Sequence, residues 1–81
     1  MLVRCTPVPS AEVQAFEAMI LAMGRDPQAF RLQVFEARGG HGERLRRVHV
    51  GTHGAAAQYE ASAGARWMES FARHLARGFF G

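Results

Sequence analysis

The sequence has one cysteine, no lysine and no long hydrophobic run, and the shortages of cysteine and of hydrophobic runs each exclude a class of protein. The single cysteine, Cys5, cannot form an internal disulfide, so the small secreted domains that disulfides stabilise are excluded. The longest unbroken apolar stretch covers residues 18–23, far short of the roughly 20 residues that span a membrane. Since no secretory signal pattern opens the chain, we expect a cytoplasmic protein that does not bind membranes.

What the sequence does contain is typical of one small folded domain. Its 81 residues suffice for a single thin core, and an apolar content of 48% argues against disorder. The formal net charge is +3, and all ten basic residues are arginine. We interpret residues 1–81 as one small α+β domain, with an extended lead-in over residues 1–9 and a short apolar tail over residues 78–81.

The first helix is predicted from apolar residues that recur three and four positions apart. Phe16, Ile20 and Met23 lie on one stripe, which is the pattern of an amphipathic helix with one buried face. Ser10 is a suitable residue for the N-cap of this helix. Gly24 is suited to the position just beyond its C-terminus.

Three strands are predicted after this helix. Residues 30–37 and 44–51 alternate with the period of a strand, and the glycine-rich residues 38–42 between them form a turn. A two-residue turn at His53 and Gly54 would fold a third strand back on the second. This turn places apolar residues opposite each other on one face and opposite charges on the other face. The predicted pairs are Val50 with Ala57, His49 with Gln58, Val48 with Tyr59 and Arg47 with Glu60.

The C-terminal region allows two interpretations. The one we favour has the third strand followed by a helix over residues 63–77, with Ser62 as its N-cap and Gly78 as its stop. The predicted fold is then α-β-β-β-α, a three-stranded antiparallel sheet with both helices packed on one face. The alternative is α-β-β-α with one long helix over residues 55–77, which would place Gly64 mid-helix at a cost of about 1 kcal/mol.

The predicted element order is similar to that of double-stranded RNA-binding domains. In that family a Gly-Pro-x-His loop and a lysine cluster at the start of the last helix contact the RNA. Here the first inter-strand turn contains Gly40 and His41 without the proline, and Arg66 is the only cation at the start of the last helix. The similarity is one of element order, and it assigns no function.

No catalytic, cofactor-binding or metal-binding motif is recognised. His49 and His53 are four residues apart, but an extended gap of that length spans roughly 13 Å, too far for two ligands of one zinc ion. The glycines lie between strands and not before a helix, so they form no phosphate-binding loop. We therefore predict that the protein is not an enzyme and that it has no cofactor and no metal.

The outer face of the sheet, opposite the helices, is the predicted functional surface. Basic residues alternate there with an aromatic one, a combination suited to nucleic-acid backbones and bases or to a protein partner. Leu45 and Gln58 are expected on the same face. The candidate residues of the face and its adjoining turn are Arg31, Gln33, Phe35, Arg38, His41, Arg44, Arg47 and His49.

A second candidate surface is the apolar end of the chain, where Phe79 and Phe80 would form a partner patch if they remained exposed. The primary functional prediction is a small non-enzymatic interaction module that acts through self-association, as a homodimer, or through a protein partner. The alternative is a module that binds RNA or DNA through the arginine-bearing outer face and the glycine-rich turn.

Overall fold

In a computed structural model that describes residues 3–63 and 65–81, four antiparallel strands form one sheet in the order β1-β2-β3-β4. The sequence alternates apolar and polar residues along the central strands, so one face of the sheet is buried and the other is open. The strands are β1 (Val3–Thr6), β2 (Arg31–Arg38), β3 (Arg44–Gly51) and β4 (Ala56–Glu60). The helices are α1 (Ser10–Ala22) and α2 (Trp67–Ala76), and a 3-10 turn covers Pro27–Ala29.

The prediction of a three-stranded sheet is wrong, because part of the predicted lead-in is the edge strand β1. Val3 lies opposite Ala37 and Thr6 lies opposite Val34, so β1 pairs antiparallel with β2 on the far side from β3. The element order is therefore β-α-β-β-β-α, which also departs from the double-stranded RNA-binding order. The strand has only four residues and is almost wholly exposed, so its pairing with β2 rather than its own pattern makes it a strand.

The alternative with one long C-terminal helix is also wrong, since Ala56–Glu60 is a strand. The predicted register between β3 and β4 is confirmed at all four pairs, from Arg47 opposite Glu60 to Val50 opposite Ala57. The turn closes with a hydrogen bond of 2.8 Å from the Thr52 amide to the Ala55 carbonyl. Neither His53 nor Gly54 has a positive φ, so the turn forms without a left-handed residue.

Glycine ends both helices in the predicted way. Gly24, with φ +75°, lets the Arg25 amide donate to the Ile20 carbonyl at 3.0 Å. Gly78, with φ +77°, lets the Phe79 amide donate to the His74 carbonyl at 3.0 Å. Both are Schellman motifs, which satisfy carbonyls that the helix end would leave unpaired.

The helix starts differ from the prediction. Helix α1 already includes Ser10, and its start has no side-chain cap. Helix α2 begins at Trp67, because Ser62 has another role at the edge of the sheet. The Ser62 hydroxyl accepts a hydrogen bond of 3.1 Å from the Arg46 amide, beside the backbone bond of 2.9 Å from Ala61 to the Arg46 carbonyl. Ser62 thus extends the β3–β4 ladder by one side-chain bond, rather than capping the helix.

The core lies between the two helices and one face of the sheet, which we call the inner face. Phe71 of α2 is completely buried at its centre, with its ring centroid 5.0 Å from that of Phe16 and 6.1 Å from that of Phe30. Aromatic rings from α1, α2 and the segment before β2 therefore meet over the sheet, at the spacing of favourable edge and tilted contacts. The fully or nearly buried residues of the inner face are Val34, Val48, Val50 and Tyr59.

A polar cluster joins the starts of the two helices to the sheet. The Glu12 carboxylate of α1 accepts hydrogen bonds from both terminal nitrogens of Arg46 on β3, and from the Trp67 indole nitrogen of α2 at 3.2 Å. The hydrogen bond from Arg46 lowers the pKa of Glu12 below its ordinary value, and the same bond raises the pKa of Arg46. Since both side chains are mostly buried, this ion pair is screened less than one on the surface.

Candidate functional site

The outer face of the sheet has no helix over it, and five of the predicted functional residues lie there. Residues on this face alternate along each strand with the buried valines of the inner face. The register places Phe35 opposite Arg47 and Gln33 opposite His49, with Arg31 opposite Gly51 at the far end. The structure therefore brings these five predicted residues together on one surface.

The remaining predicted residues do not belong to that surface. Arg38 and Arg44 lie opposite each other at the end of the β2–β3 hairpin that is next to the turn. Each is separated by an even number of positions from the buried valine of its own strand, Val34 or Val48. A strand turns successive side chains to opposite faces, so these two arginines lie on the helix side of the sheet. His41 lies in the turn between them and is exposed. The predicted set is thus divided between two surfaces.

An apolar patch occupies the end of the outer face nearest the β2–β3 turn. Ala37 lies between Val3 on one neighbouring strand and Leu45 on the other, and Phe35 lies two residues back along β2. Val3 is 57% exposed, while the other three side chains are half-buried. These residues line a shallow cavity of about 460 Å³. We call the four residues the outer apolar patch: Val3, Phe35, Ala37 and Leu45.

Charged and polar groups border the outer apolar patch. The Arg47 Nε lies 4.0 Å from the Glu60 carboxylate, and both side chains are more than half exposed, so this pair is weak. Hydrogen bonds from the Ser62 hydroxyl and amide lower the pKa of Glu60. The His49 ring packs against Phe35, with centroids 4.5 Å apart. The face therefore presents an apolar area beside one cation and one anion that pair only weakly with each other.

A cluster of arginines forms the second surface, on the helix side of the hairpin end. Arg4 lies opposite Glu36, and Arg38 lies opposite Arg44, so the strands bring three exposed arginines together. They line a cavity of about 390 Å³ with Glu36 and Ala37. Within residues 3–63 and 65–81, none of the three arginines has a carboxylate within 4.0 Å. We call Arg4, Arg38 and Arg44 the arginine cluster.

The two C-terminal phenylalanines do not form the exposed pair that the prediction required. Their rings contact each other, with centroids 5.0 Å apart, but only Phe79 is exposed. Phe80 is only 6% exposed and packs against Phe30 and Phe71, with centroids 5.6 Å away in each case. Phe79 remains exposed and stacks on His74 at 5.0 Å. The Schellman turn at Gly78 folds the chain end back onto the core, which makes Phe80 a core residue.

The sequence reasoning missed two members of the outer apolar patch, Val3 and Ala37. Ala37 shares the strand alternation of Phe35, and this signal was sufficient to place it. Val3 had no such signal, because β1 was interpreted as a lead-in. Because β1 was not predicted as a strand, Val3 could not be assigned to the outer apolar patch.

No protein-family model matches this chain, and comparisons with curated proteins and with solved structures find no match. Within the described residues, no three His, Cys, Asp or Glu side chains come together as metal ligands. In the same part of the chain, neither α1 nor α2 has the length and apolar character of a helix that crosses a membrane. Functional inference therefore depends on the surfaces themselves.

Proposed function

We propose that the protein is an interaction module that self-associates, two copies packing through the outer faces of their sheets. The observation that supports this most strongly is the outer apolar patch. Phe35, Leu45 and Val3 are large apolar side chains on a sheet face that no helix covers. Neighbouring apolar side chains that remain partly exposed on an uncovered face are typical of interaction sites on small proteins. A chain of 81 residues also has a thin core, so burial between two copies adds to its stability.

A second copy of this chain is the occupant that the charges favour. In a two-fold dimer each residue that contacts a second residue across the interface is also contacted by it in return. Arg47 and Glu60 border the patch on one face and pair only weakly within one copy. Across a two-fold axis, Arg47 of each copy can meet Glu60 of the other, which gives two ion pairs around an apolar centre.

Light scattering and sedimentation test this proposal with a matched pair of variants. Leu45→Arg places a charge within the outer apolar patch, and we expect it to convert the dimer to a monomer. Leu21→Arg is the control, because Leu21 is an exposed leucine, 62% accessible, that lies on α1 away from the sheet face. The control should retain the dimer mass, and thermal unfolding should show that both variants fold.

A protein that stays monomeric at concentrations up to about 1 mM would contradict self-association, because its binding free energy would then be weaker than about −4 kcal/mol. An equal loss of the dimer in both leucine variants would place the interface elsewhere. Dimerisation that only Leu45→Arg abolishes is the expected result.

The arginine cluster favours a second candidate function, the binding of nucleic-acid backbones. Its three arginines are exposed and have no carboxylate within 4.0 Å among the described residues, so they can contact phosphates. Such binding weakens steeply as the salt concentration rises. Titration with single-stranded and duplex oligonucleotides at two salt concentrations tests it. Arg38→Ala combined with Arg44→Ala should lower both the affinity and the salt dependence. Failure of the unsubstituted protein to bind at low salt would rule this function out.

A further inference from the structure

A groove runs between the edge strand β4 and the exposed side of α2, on a different surface from the outer apolar patch and the arginine cluster. Gln58, Tyr59 and Glu60 line it from the strand. The groove encloses about 440 Å³ and extends along the helix, whose buried side faces the core through Trp67 and Phe71. The lining residues of α2 and its C-terminal end include Ser70, Arg73, His74 and Arg77.

The strand side of this groove has unpaired backbone groups. Among the described strands, β4 pairs with β3 alone, so its other side is a free edge of the sheet. The Ala61 amide donates to the Arg46 carbonyl at 2.9 Å, which shows that odd-numbered residues of this segment direct their backbone groups toward β3. Backbone direction alternates in an antiparallel ladder. Gln58 and Glu60 therefore direct their amide and carbonyl groups away from the sheet, where an added strand could pair with them.

The helix side of the groove is positively charged. Arg66 is paired with Glu69 at 3.4 Å, and Arg73 donates to the Ser70 hydroxyl at 3.3 Å. In the part of the chain that the structure describes, neither Arg73 nor Arg77 has a carboxylate within 4.0 Å. Because no carboxylate of the described residues lies within 4.0 Å of these two guanidinium groups, the helix side of the groove suits an acidic occupant.

The spacing of the two arginines matches that of an extended peptide. Arg73 and Arg77 are one helical turn apart, a rise of about 6 Å along the axis. Every second side chain of a strand points to the same side, and such side chains repeat at about 6.6 Å. Acidic residues at alternating positions of an added strand would therefore lie beside both arginines in succession.

We propose that this groove binds an extended acidic peptide segment of a partner protein, which adds to β4 as a further strand. Backbone hydrogen bonds to Gln58 and Glu60 provide part of the affinity, and Arg73 and Arg77 select acidic side chains. A single-stranded nucleic acid could pair with the arginines. It lacks the regular alternation of amide donors and carbonyl acceptors that the free edge of β4 requires.

The experiment uses a synthetic peptide of alternating glutamate and valine, with a second peptide that has lysine in place of glutamate. Amide hydrogen exchange and chemical shifts of the full chain are recorded with each peptide. We expect the glutamate peptide to slow exchange at the Gln58 and Glu60 amides, because they become hydrogen-bonded. The lysine peptide should leave both amides unprotected. Protection by both peptides, or by neither, would overturn the proposal.

Two sets of variants make the test independent of any one substitution. Arg73→Gln with Arg77→Gln should weaken binding of the glutamate peptide about tenfold. The control, Gln14→Glu with Gln28→Glu, lowers the net charge equally at exposed positions of α1 and the 3-10 turn, and should bind as before. Gln58→Pro removes an edge amide and should also weaken binding without breaking the β3–β4 ladder. Equal weakening by the arginine pair and the control would overturn the proposal. So would an oligothymidylate that competes fully with the peptide and protects the same amides.

Discussion

The inner and outer faces of the same four-stranded sheet differ in what covers them, although both carry aromatic side chains. On the inner face, Tyr59 contacts Phe71 of α2, which in turn contacts rings from α1, from the segment before β2 and from the end of the chain. On the outer face, Phe35 packs against the His49 ring and remains half-buried. An aromatic residue on a strand therefore does not by itself indicate core or function. The difference depends on whether a helix or a second molecule completes the contact.

The largest effect on stability is expected when a phenylalanine packed over the inner face is replaced by alanine, and the same change on the outer face should cost much less. Phe71→Ala removes the fully buried ring at the centre of the core, and we expect it to lower the free energy of unfolding by about 3–5 kcal/mol. Phe35→Ala on the outer face should cost less than about 1 kcal/mol. Urea unfolding followed by fluorescence of the single tryptophan, Trp67, measures both. Low protein concentration keeps association out of the measurement. Equal losses would show that the two faces are not distinct.

The next effect concerns the polar cluster that holds both helix starts against the inner face. Glu12→Gln should lower the free energy of unfolding by about 1–2 kcal/mol at neutral pH, because Arg46 loses its counter-charge. The folded protein has the lower Glu12 pKa, so this stabilisation is complete above the ordinary value of 4.5. It is lost as the pH falls through the folded-state pKa.

Unfolding of the original protein and of Glu12→Gln from neutral pH to about pH 3 measures this dependence. The two curves should converge in acid. A stability difference that stays constant over this range would mean that Glu12 does not act through its charge.

A smaller effect on stability is expected at the C-terminal end of α1. Gly24→Ala forces an L side chain into a φ of +75°, and we expect a loss of about 1 kcal/mol although no atom crowds the site. Gly40→Ala in the β2–β3 turn is the control, because its φ is not positive and its surroundings are equally open. It should change stability by less than about 0.5 kcal/mol. Similar losses in thermal unfolding at both sites would remove the backbone explanation.

The sequence predicted those parts of the fold that depend on residues close to one another along the chain. Apolar residues three and four positions apart predict α1, and the glycines at positions 24 and 78 mark the ends of the two helices. Matching of charges and of apolar residues across the turn predicts the register of β4 on β3. Each of these depends on residues close in sequence or on one turn. The same alternation predicts the outer face, which is why five of its residues are recognisable from the sequence.

The features that were not predicted depend on contacts between distant segments. β1 is a strand only because β2 pairs with it, and its four residues have no buried pattern of their own. Ser62 serves the Arg46 amide instead of a helix, and Phe80 enters the core after the chain turns back at Gly78. The bond between Glu12 and Arg46 joins residues 34 positions apart. No periodicity within one segment contains that information.

The most direct test of the outer-face interface uses Cys5, the only cysteine, which is exposed and lies opposite Phe35 beside the outer apolar patch. Protein that has a nitroxide attached to Cys5 but no isotope label is mixed with nitrogen-15-labelled protein that has no nitroxide. Line broadening is then measured at the amides of the nitrogen-15-labelled protein. Packing through the outer faces predicts broadening at the amides of Phe35, Ala37 and Leu45. Broadening confined to α1, or absent altogether, would contradict the interface.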